Sequence, residues 1–323
     1  MRGRGIGAYV IRRLALLIPI VLLISLAVFL LTSLIPGGAV AALLDGRATS
    51  DANVKALRVK FGLDKPLITQ YWDWLVGVLH GDLGRSFRTS QLVSNSIKDR
   101  FSLTIVLNSI GLVIAVVIGV PLGTWAAMHR GSTKDRTVVG FSILGSSSPS
   151  FVAALVFLWI FAQKLNWFPL FGAGDGSWSD RLYHLTLPGI VMAIAPMGLV
   201  MKITRAAMLD QIGQDHIAFA RARGLSERRV ILVYGLRNAL IPVLTAAGLL
   251  FVGLLTGTVF VESVFGLPGL GSLLISAVRS SDLPVIQGLA LIIGIWIVLA
   301  NLIIDLGYAL VDPRVDFGRR EER

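Results

Sequence analysis

The sequence has no cysteine and little charge, and both absences narrow the class of protein. Without cysteine there is no disulfide, no thiolate metal site and no thiol nucleophile. Only 15% of the 323 residues are charged, whereas about 25% is usual in soluble domains. Hydrophobic residues make up 54%, and they are gathered in long runs. This distribution indicates a membrane protein rather than a soluble protein with a large core.

Motifs for catalysis and nucleotide binding are also missing. The chain has no G-x-x-x-x-G-K-[ST] loop for ATP phosphates, no H-E-x-x-H zinc motif and no G-x-S-x-G nucleophile elbow. None of its four histidines lies four residues from another, so the usual spacing of zinc ligands is absent. We therefore expect no catalytic residue, metal site or cofactor in this chain, and the sequence argues against an intramembrane enzyme.

Six runs of about 20 or more apolar residues are each long enough to cross a bilayer as an α-helix. They cover residues 14–35, 101–128, 137–163, 183–201, 239–261 and 283–310. The first run has a basic start, like a signal peptide, but its apolar stretch exceeds the roughly 7–15 residues of a signal core. We expect it to remain as a span, which predicts an all-α integral membrane protein with six transmembrane helices.

Positive charges between the runs indicate the orientation of the chain. Lys and Arg cluster before the first run, between the second and third, between the fourth and fifth, and after the sixth. Short cytoplasmic loops are enriched in these residues, so both termini are predicted to be cytoplasmic. The net charge of +11 then reflects an anionic membrane surface rather than nucleic acid. Residues 36–100 are predicted to form one extracytoplasmic lobe after the first helix.

The cytoplasmic connection at residues 202–238 is the most informative segment between spans. A helix is predicted to continue from the fourth span to Arg223, where Gly224 can end it because glycine adopts positive φ without steric cost. Ser226 can cap a second helix, and Pro242 is expected to open the fifth span. Positive charge here serves topology, but a helix-turn-helix with several alanines is more than topology requires. We therefore interpret the loop as a docking surface.

A polar stretch interrupts the third run at residues 146–150, which read SSSPS. Because no histidine lies nearby, we interpret it as a proline-kinked part of the span that lines a cavity or bonds a neighbouring helix. Ser147, Ser148 and Pro149 are thus candidates for lining a pathway.

Ionisable residues are scarce within the spans. Those that occur are placed near span ends, where water can solvate them: Lys202, Arg205, Glu262 and Asp305. Proton-coupled carriers usually hold carboxylates or histidines near mid-membrane. Their absence from the middle of these runs argues against proton coupling.

Several segments, in order along the chain, resemble the membrane subunits of binding-protein-dependent ABC importers, specifically the peptide and nickel group. They include FGLDKPLITQYWDWL and GDLGRSF in the outer segment, GVPLGTWAA in the second run, ARARGLSERRVI in the cytoplasmic loop, and VFGLPGLGSLL and NLIIDLGYALVDPRV in the closing third. The resemblance covers nearly the whole length. It implies that residues 1–323 form a single ABC importer transmembrane domain in a bacterial inner membrane.

The resemblance also implies partners. These are a homologous sister permease that completes a heterodimer, two subunits that bind ATP and Mg, an extracytoplasmic substrate-binding protein, and membrane lipid. The cytoplasmic loop would fit a groove on an ATPase subunit and couple ATP hydrolysis to transport. By the family's motif this role falls on Ala220, Arg221, Ala222, Gly224, Asn238 and Pro242.

The implied substrate is a di- or oligopeptide, and alternatives stay open. Nickel, glutathione or another small solute would fit the same architecture. A stand-alone secondary transporter is the alternative of another class, although the sequence has no convincing internal repeat of the kind such carriers show.

Overall fold

The computed structural model describes residues 3–33, 64–174 and 177–311, together with residues 55 and 59. Much of the first half of the predicted extracytoplasmic lobe lies outside the described residues. Helices account for nearly all of the part that is described. In chain order they are α1 (Gly3–Ser33), α2 (Leu67–Leu79), α3 (Val93–Met128), α4 (Thr133–Ser147), α5 (Ser150–Lys164), α6 (Trp178–Ile212), α7 (Asp215–Ala222), α8 (Glu227–Val264), α9 (Leu270–Arg279) and α10 (Leu283–Val311).

The described helices confirm an all-α membrane fold. Five of them are long and apolar enough to span a membrane, and α4 with α5 makes a sixth if that bent pair counts as one span. The chain bends by 104° between α4 and α5, so the predicted third span is sharply broken. Proline lacks a backbone N–H and disfavours helical backbone at the preceding residue. Ser148 accordingly has an extended backbone with ψ 123°, and Pro149 stands at the N-terminal cap of α5.

The chain divides into two compact units, and the division falls within α3, after Ser102, and again before Gly269. In the first unit, Tyr71 on α2 is hydrogen-bonded to Ser25 on α1, with 2.9 Å between the two hydroxyl oxygens. The buried core of the first unit joins the start of α3 to α9 and α10. That core contains Leu83, Val93, Ile97, Leu270, Ala277, Val285, Leu289 and Leu291.

A buried carboxylate fastens the loop before α3 to the connection between α9 and α10. Asp282 accepts a hydrogen bond from the Ser86 hydroxyl at 2.5 Å and another from the Phe87 N–H at 3.0 Å. The Arg88 guanidinium donates to the Ser280 carbonyl through Nε at 2.9 Å and Nη2 at 2.7 Å. These bonds hold residues 86–88 of the predicted extracytoplasmic lobe against the α9–α10 connection.

The second unit runs from Leu103 to Pro268 and is held by close helix crossings at glycines. A Cβ at Gly198 on α6 would lie 2.5 Å from the Ser142 carbonyl oxygen on α4. A Cβ at Gly123 on α3 would lie 2.6 Å from the Met201 carbonyl oxygen on α6. Small residues let membrane helices approach this closely because lipid supplies no hydrophobic force between them.

Candidate functional site

The connection between α6 and α8, predicted to be cytoplasmic, folds around a short helix, α7. Its C-terminal turn has both hydrogen bonds of a Schellman motif: Leu225 N–H donates to the Ala220 carbonyl at 3.4 Å, and Gly224 N–H donates to the Arg221 carbonyl at 2.9 Å. Gly224 has φ +75°, as predicted for the residue that ends the helix. The motif reverses the chain between α7 and α8.

One face of α7 is buried and the other is exposed. Ile217 and Ala220 are buried with Val230, against which Leu225 and Tyr234 also pack. Elsewhere on the helix Arg221 and Ala222 are exposed, and Phe219 leaves 67% of its surface uncovered. An aromatic residue that is uncovered on a polar helix is a feature of interaction sites.

Arg221 makes an ion pair across the turn. Its Nε donates to Glu227 Oε1 at 2.7 Å, and its Nη2 donates to Oε2 at 3.3 Å. Both side chains are substantially exposed, so the pair adds modest stability and mainly orients the α7–α8 turn.

The structure corrects three expectations for this loop. The helix of the fourth span ends at Ile212 and does not continue to Arg223, because the chain leaves helical geometry at Gln214, which has ψ 149°. Ser226 precedes α8 in extended backbone, but its side chain makes no capping hydrogen bond. Pro242 does not open the fifth span, because α8 begins at Glu227 and contains this proline. Membrane helices tolerate such prolines.

The six residues assigned to coupling by resemblance fall into two groups. Ala220, Arg221, Ala222 and Gly224 lie together on α7 and its turn. Asn238 and Pro242 lie on the exposed face of α8, one turn apart. The Asn238 side chain donates to the Tyr234 carbonyl of its own helix at 3.2 Å. Sequence reasoning missed Phe219, although a phenylalanine among the charged residues and alanines of this loop was a usable signal.

The polar stretch at the α4–α5 break borders a cavity of about 380 Å³ in the second unit. Its polar wall is formed by Ser146, Ser148, Ser150 and Thr256. Segments of α6 and α8, including Gly253 and Gly257, complete it. Of the three residues predicted to line a pathway, Ser148 borders this cavity.

The other two residues predicted to line a pathway, Ser147 and Pro149, do not border this cavity. Pro149 borders a separate apolar cavity of about 740 Å³, to which Ser148 also contributes. Ser147 is exposed but is not in the wall of either cavity.

Glu262 is fully buried, contrary to the expectation that water solvates it. Thr104 donates to its Oε1 at 2.6 Å, and one turn away on both helices Thr258 donates to the Asn108 side-chain oxygen. The chain after α8 folds back over this end, where Leu267 N–H donates to the Glu262 carbonyl at 2.8 Å. Glu262 is therefore shielded from water although it lies near the end of α8.

The basic residues of α6 are placed differently from one another. Arg205 pairs with Asp135 of α4, with Nε 2.6 Å from Oδ1 and Nη2 2.8 Å from Oδ2. Lys202 instead donates to the Ser146 hydroxyl at 3.1 Å. Within the described residues, no three His, Cys, Asp or Glu side chains are grouped so as to hold a metal ion.

Comparison with known proteins agrees with this architecture. The profile of the family described as the binding-protein-dependent transport system inner membrane component matches residues 119–317. The profile of the N-terminal part of such membrane components matches residues 7–108. The two matches together extend over most of the chain.

Curated relatives are similar along nearly their whole length. A protein of Brucella ovis, provisionally named a peptide permease, is 40% identical over 313 residues, which cover 95% of this chain and 98% of the relative. The dipeptide transport system permease protein DppB of Escherichia coli strain K12 is 36% identical over 332 residues, with 95% and 98% coverage.

A solved structure shares the fold. A chain of the MetNI methionine ABC transporter in an inward-facing conformation superposes with a TM-score of 0.57 at 16% identity. The match covers 67% of this chain and 96% of that one. The profile matches, the full-length relatives and the apolar helices together show that this chain belongs to the family of binding-protein-dependent ABC importer permeases, which are multi-pass proteins of the bacterial inner membrane.

Proposed function

We propose that this chain is a permease subunit that imports di- or oligopeptides. The observation that carries the substrate class is similarity at 36–40% identity, along 95% of the chain, to relatives that are named as peptide permeases. Nickel, glutathione or another small solute is the alternative within the same architecture. The chain is a non-catalytic membrane subunit of the transporter, and separate subunits hydrolyse Mg-ATP.

The helix α7 is proposed to be the element that engages an ATPase subunit. Its inner face is anchored on Val230 and its outer face presents Phe219, Arg221 and Ala222. Because its inner face is packed against Val230, α7 can transmit movement as a rigid body. The exposed ring of Phe219 can fill a pocket on the ATPase subunit. Asn238 and Pro242 are proposed as a second, looser contact on α8.

The cavity beside the α4–α5 break is proposed as one wall of the translocation pathway. Serine and threonine hydroxyls can both donate and accept hydrogen bonds, which suits the alternating N–H and C=O groups of a peptide. Gly253 and Gly257 have open space where a side chain would project. A homologous sister permease would close the opposite side of the pathway in a heterodimer.

The remaining partners follow from the same proposal. An extracytoplasmic binding protein would deliver the peptide to the outer face, and two ATP-binding subunits would dock on the cytoplasmic face. A stand-alone carrier would need none of these proteins.

The substrate is tested by uptake of a labelled dipeptide and a labelled pentapeptide in cells with and without the gene. Redundant peptide importers are deleted in both strains, and ATP depletion serves as the control. Loss of ATP-dependent uptake on deletion supports peptide import, and the peptide lost sets the length class. Equal uptake of both peptides in both strains contradicts a peptide substrate.

A further inference from the structure

Lys202 on α6 has no carboxylate partner among the described residues. Arg205, on the next turn of the helix, has a two-bonded partner in Asp135. The Lys202 side chain is half-exposed, and among the described residues its ammonium donates to the neutral Ser146 hydroxyl at 3.1 Å. The ammonium lies near the end of the predicted fourth span, where a lysine can reach water. It is therefore also accessible to an anion that enters beside Ser146.

The position of Lys202 relates it to the cavity of about 380 Å³. Ala195 and Leu199 of α6 both line that cavity. Lys202 continues their i, i+4, i+7 series, so the three residues share one face of the helix. Its hydrogen-bond partner Ser146 lies in the cavity wall. Lys202 is not itself in the cavity wall, and its ammonium adjoins the cavity through Ser146.

We propose that Lys202 and Ser146 form a carboxylate-binding subsite that holds the C-terminal carboxylate of a passing peptide. The inference rests on the proposed function, since it requires that peptides use this cavity. A peptide's α-carboxyl has a pKa of about 3.3–3.7 and is ionised at neutral pH. Entry into a confined pathway removes much of its hydration, and a charge-assisted hydrogen bond from an ammonium offsets that loss.

A lysine suits a transit site better than an arginine. Its ammonium is a compact charge on a flexible stem, whereas a guanidinium binds carboxylate through a fixed two-bonded fork. A group that must pass on needs binding that favours entry and still permits release. In this unit the two-bonded fork of Arg205 is used in the structural pair with Asp135, whereas the Lys202 ammonium is bonded to Ser146, which lines the cavity.

The test exploits the lack of cysteine in this chain. Lys202→Cys is reacted either with 2-aminoethyl methanethiosulfonate, which restores a positive charge, or with 2-sulfonatoethyl methanethiosulfonate, which adds a negative one. The full complex is reconstituted in proteoliposomes with saturating binding protein, and dipeptide uptake and ATP hydrolysis are both measured. Lys134→Cys is the matched control, because Lys134 is exposed and lies over the Trp125 ring. The wild-type complex receives both reagents to reveal effects on its other subunits.

Lys202→Cys is expected to slow dipeptide uptake about tenfold while ATP hydrolysis stays near the wild-type rate. Aminoethylation should restore uptake and sulfonatoethylation should not, whereas the control should respond to neither reagent. Lys202→Arg, which keeps the charge but adds the two-bonded fork, should retain more uptake than Lys202→Cys and less than the wild type.

Three results would overturn the inference: unchanged uptake in Lys202→Cys, equal recovery with both reagents, or parallel loss of uptake and hydrolysis that aminoethylation does not reverse. A wild-type complex that imports another solute but no peptide would instead overturn the proposed function, and the inference with it.

Discussion

Arg205 and Asp135 form a two-bonded ion pair that joins α6 to the first turn of α4. The carboxylate is almost completely buried, and it also accepts a hydrogen bond from the Gly131 N–H at 2.9 Å. The Ser132 hydroxyl in turn accepts from the Asp135 N–H at 3.3 Å and caps the helix. The pair thus fixes the short turn between α3 and α4 onto α6.

We expect Asp135→Asn to destabilise the protein by about 2–3 kcal/mol, because a partly buried guanidinium loses its charged partner. The matched control is Asp73→Asn, which removes the carboxylate of the exposed pair with Lys65. An exposed pair contributes little to stability because water screens it. Thermal unfolding of the purified complex measures both changes, and equal shifts in Tm would contradict the structural role of the buried pair.

Gly224→Val should uncouple ATP hydrolysis from transport. The residue has φ +75° with no neighbour near its missing Cβ, so the strain comes from the backbone, about 1–2 kcal/mol for an L-residue in this region. Gly224→Asn is the control, since asparagine tolerates such angles better. Uptake per ATP hydrolysed should fall severalfold in the valine variant and stay near wild type in the asparagine variant. Normal uptake by a well-expressed Gly224→Val protein would remove the basis for a coupling role.

Phe219→Ala should weaken attachment of the ATPase subunits without destabilising the permease. Truncation of an aromatic anchor at an interface commonly costs about 2 kcal/mol or more, which is over tenfold in affinity. Phe141 is equally exposed, at 67%, but lies on α4 in the broken third span, so Phe141→Ala is the matched control. Co-purification of ATPase subunits with tagged permease is the readout. Full retention in Phe219→Ala would exclude the ring as an anchor.

The helices and the turn at Gly224 could be predicted because their signals are local. The length of the apolar runs predicted the spans, and a glycine after a helical pattern predicted a residue with positive φ. The proline in the SSSPS stretch indicated an interruption of the third span. The bend of 104° between α4 and α5 could not be predicted, because it depends on what these helices pack against.

The pairings within the second unit could not be predicted in this way. Arg205 and Asp135 are far apart in sequence, and each looks like an ordinary residue near a span end. Burial of Glu262 depends on the chain segment that follows α8 folding back over it, and composition carries no signal for that. The break after Ile212 was missed because Gly213 and Gln214 are weak helix stops when considered alone.

The most direct test of the account is uptake by a purified complex. Tagged permease is isolated with its sister and ATP-binding subunits, reconstituted in proteoliposomes with ATP inside, and supplied outside with a labelled dipeptide. The account predicts accumulation that requires the binding protein, internal ATP and this chain together. Accumulation that persists without ATP or the binding protein, or that follows an ion gradient, would contradict it and indicate a stand-alone carrier.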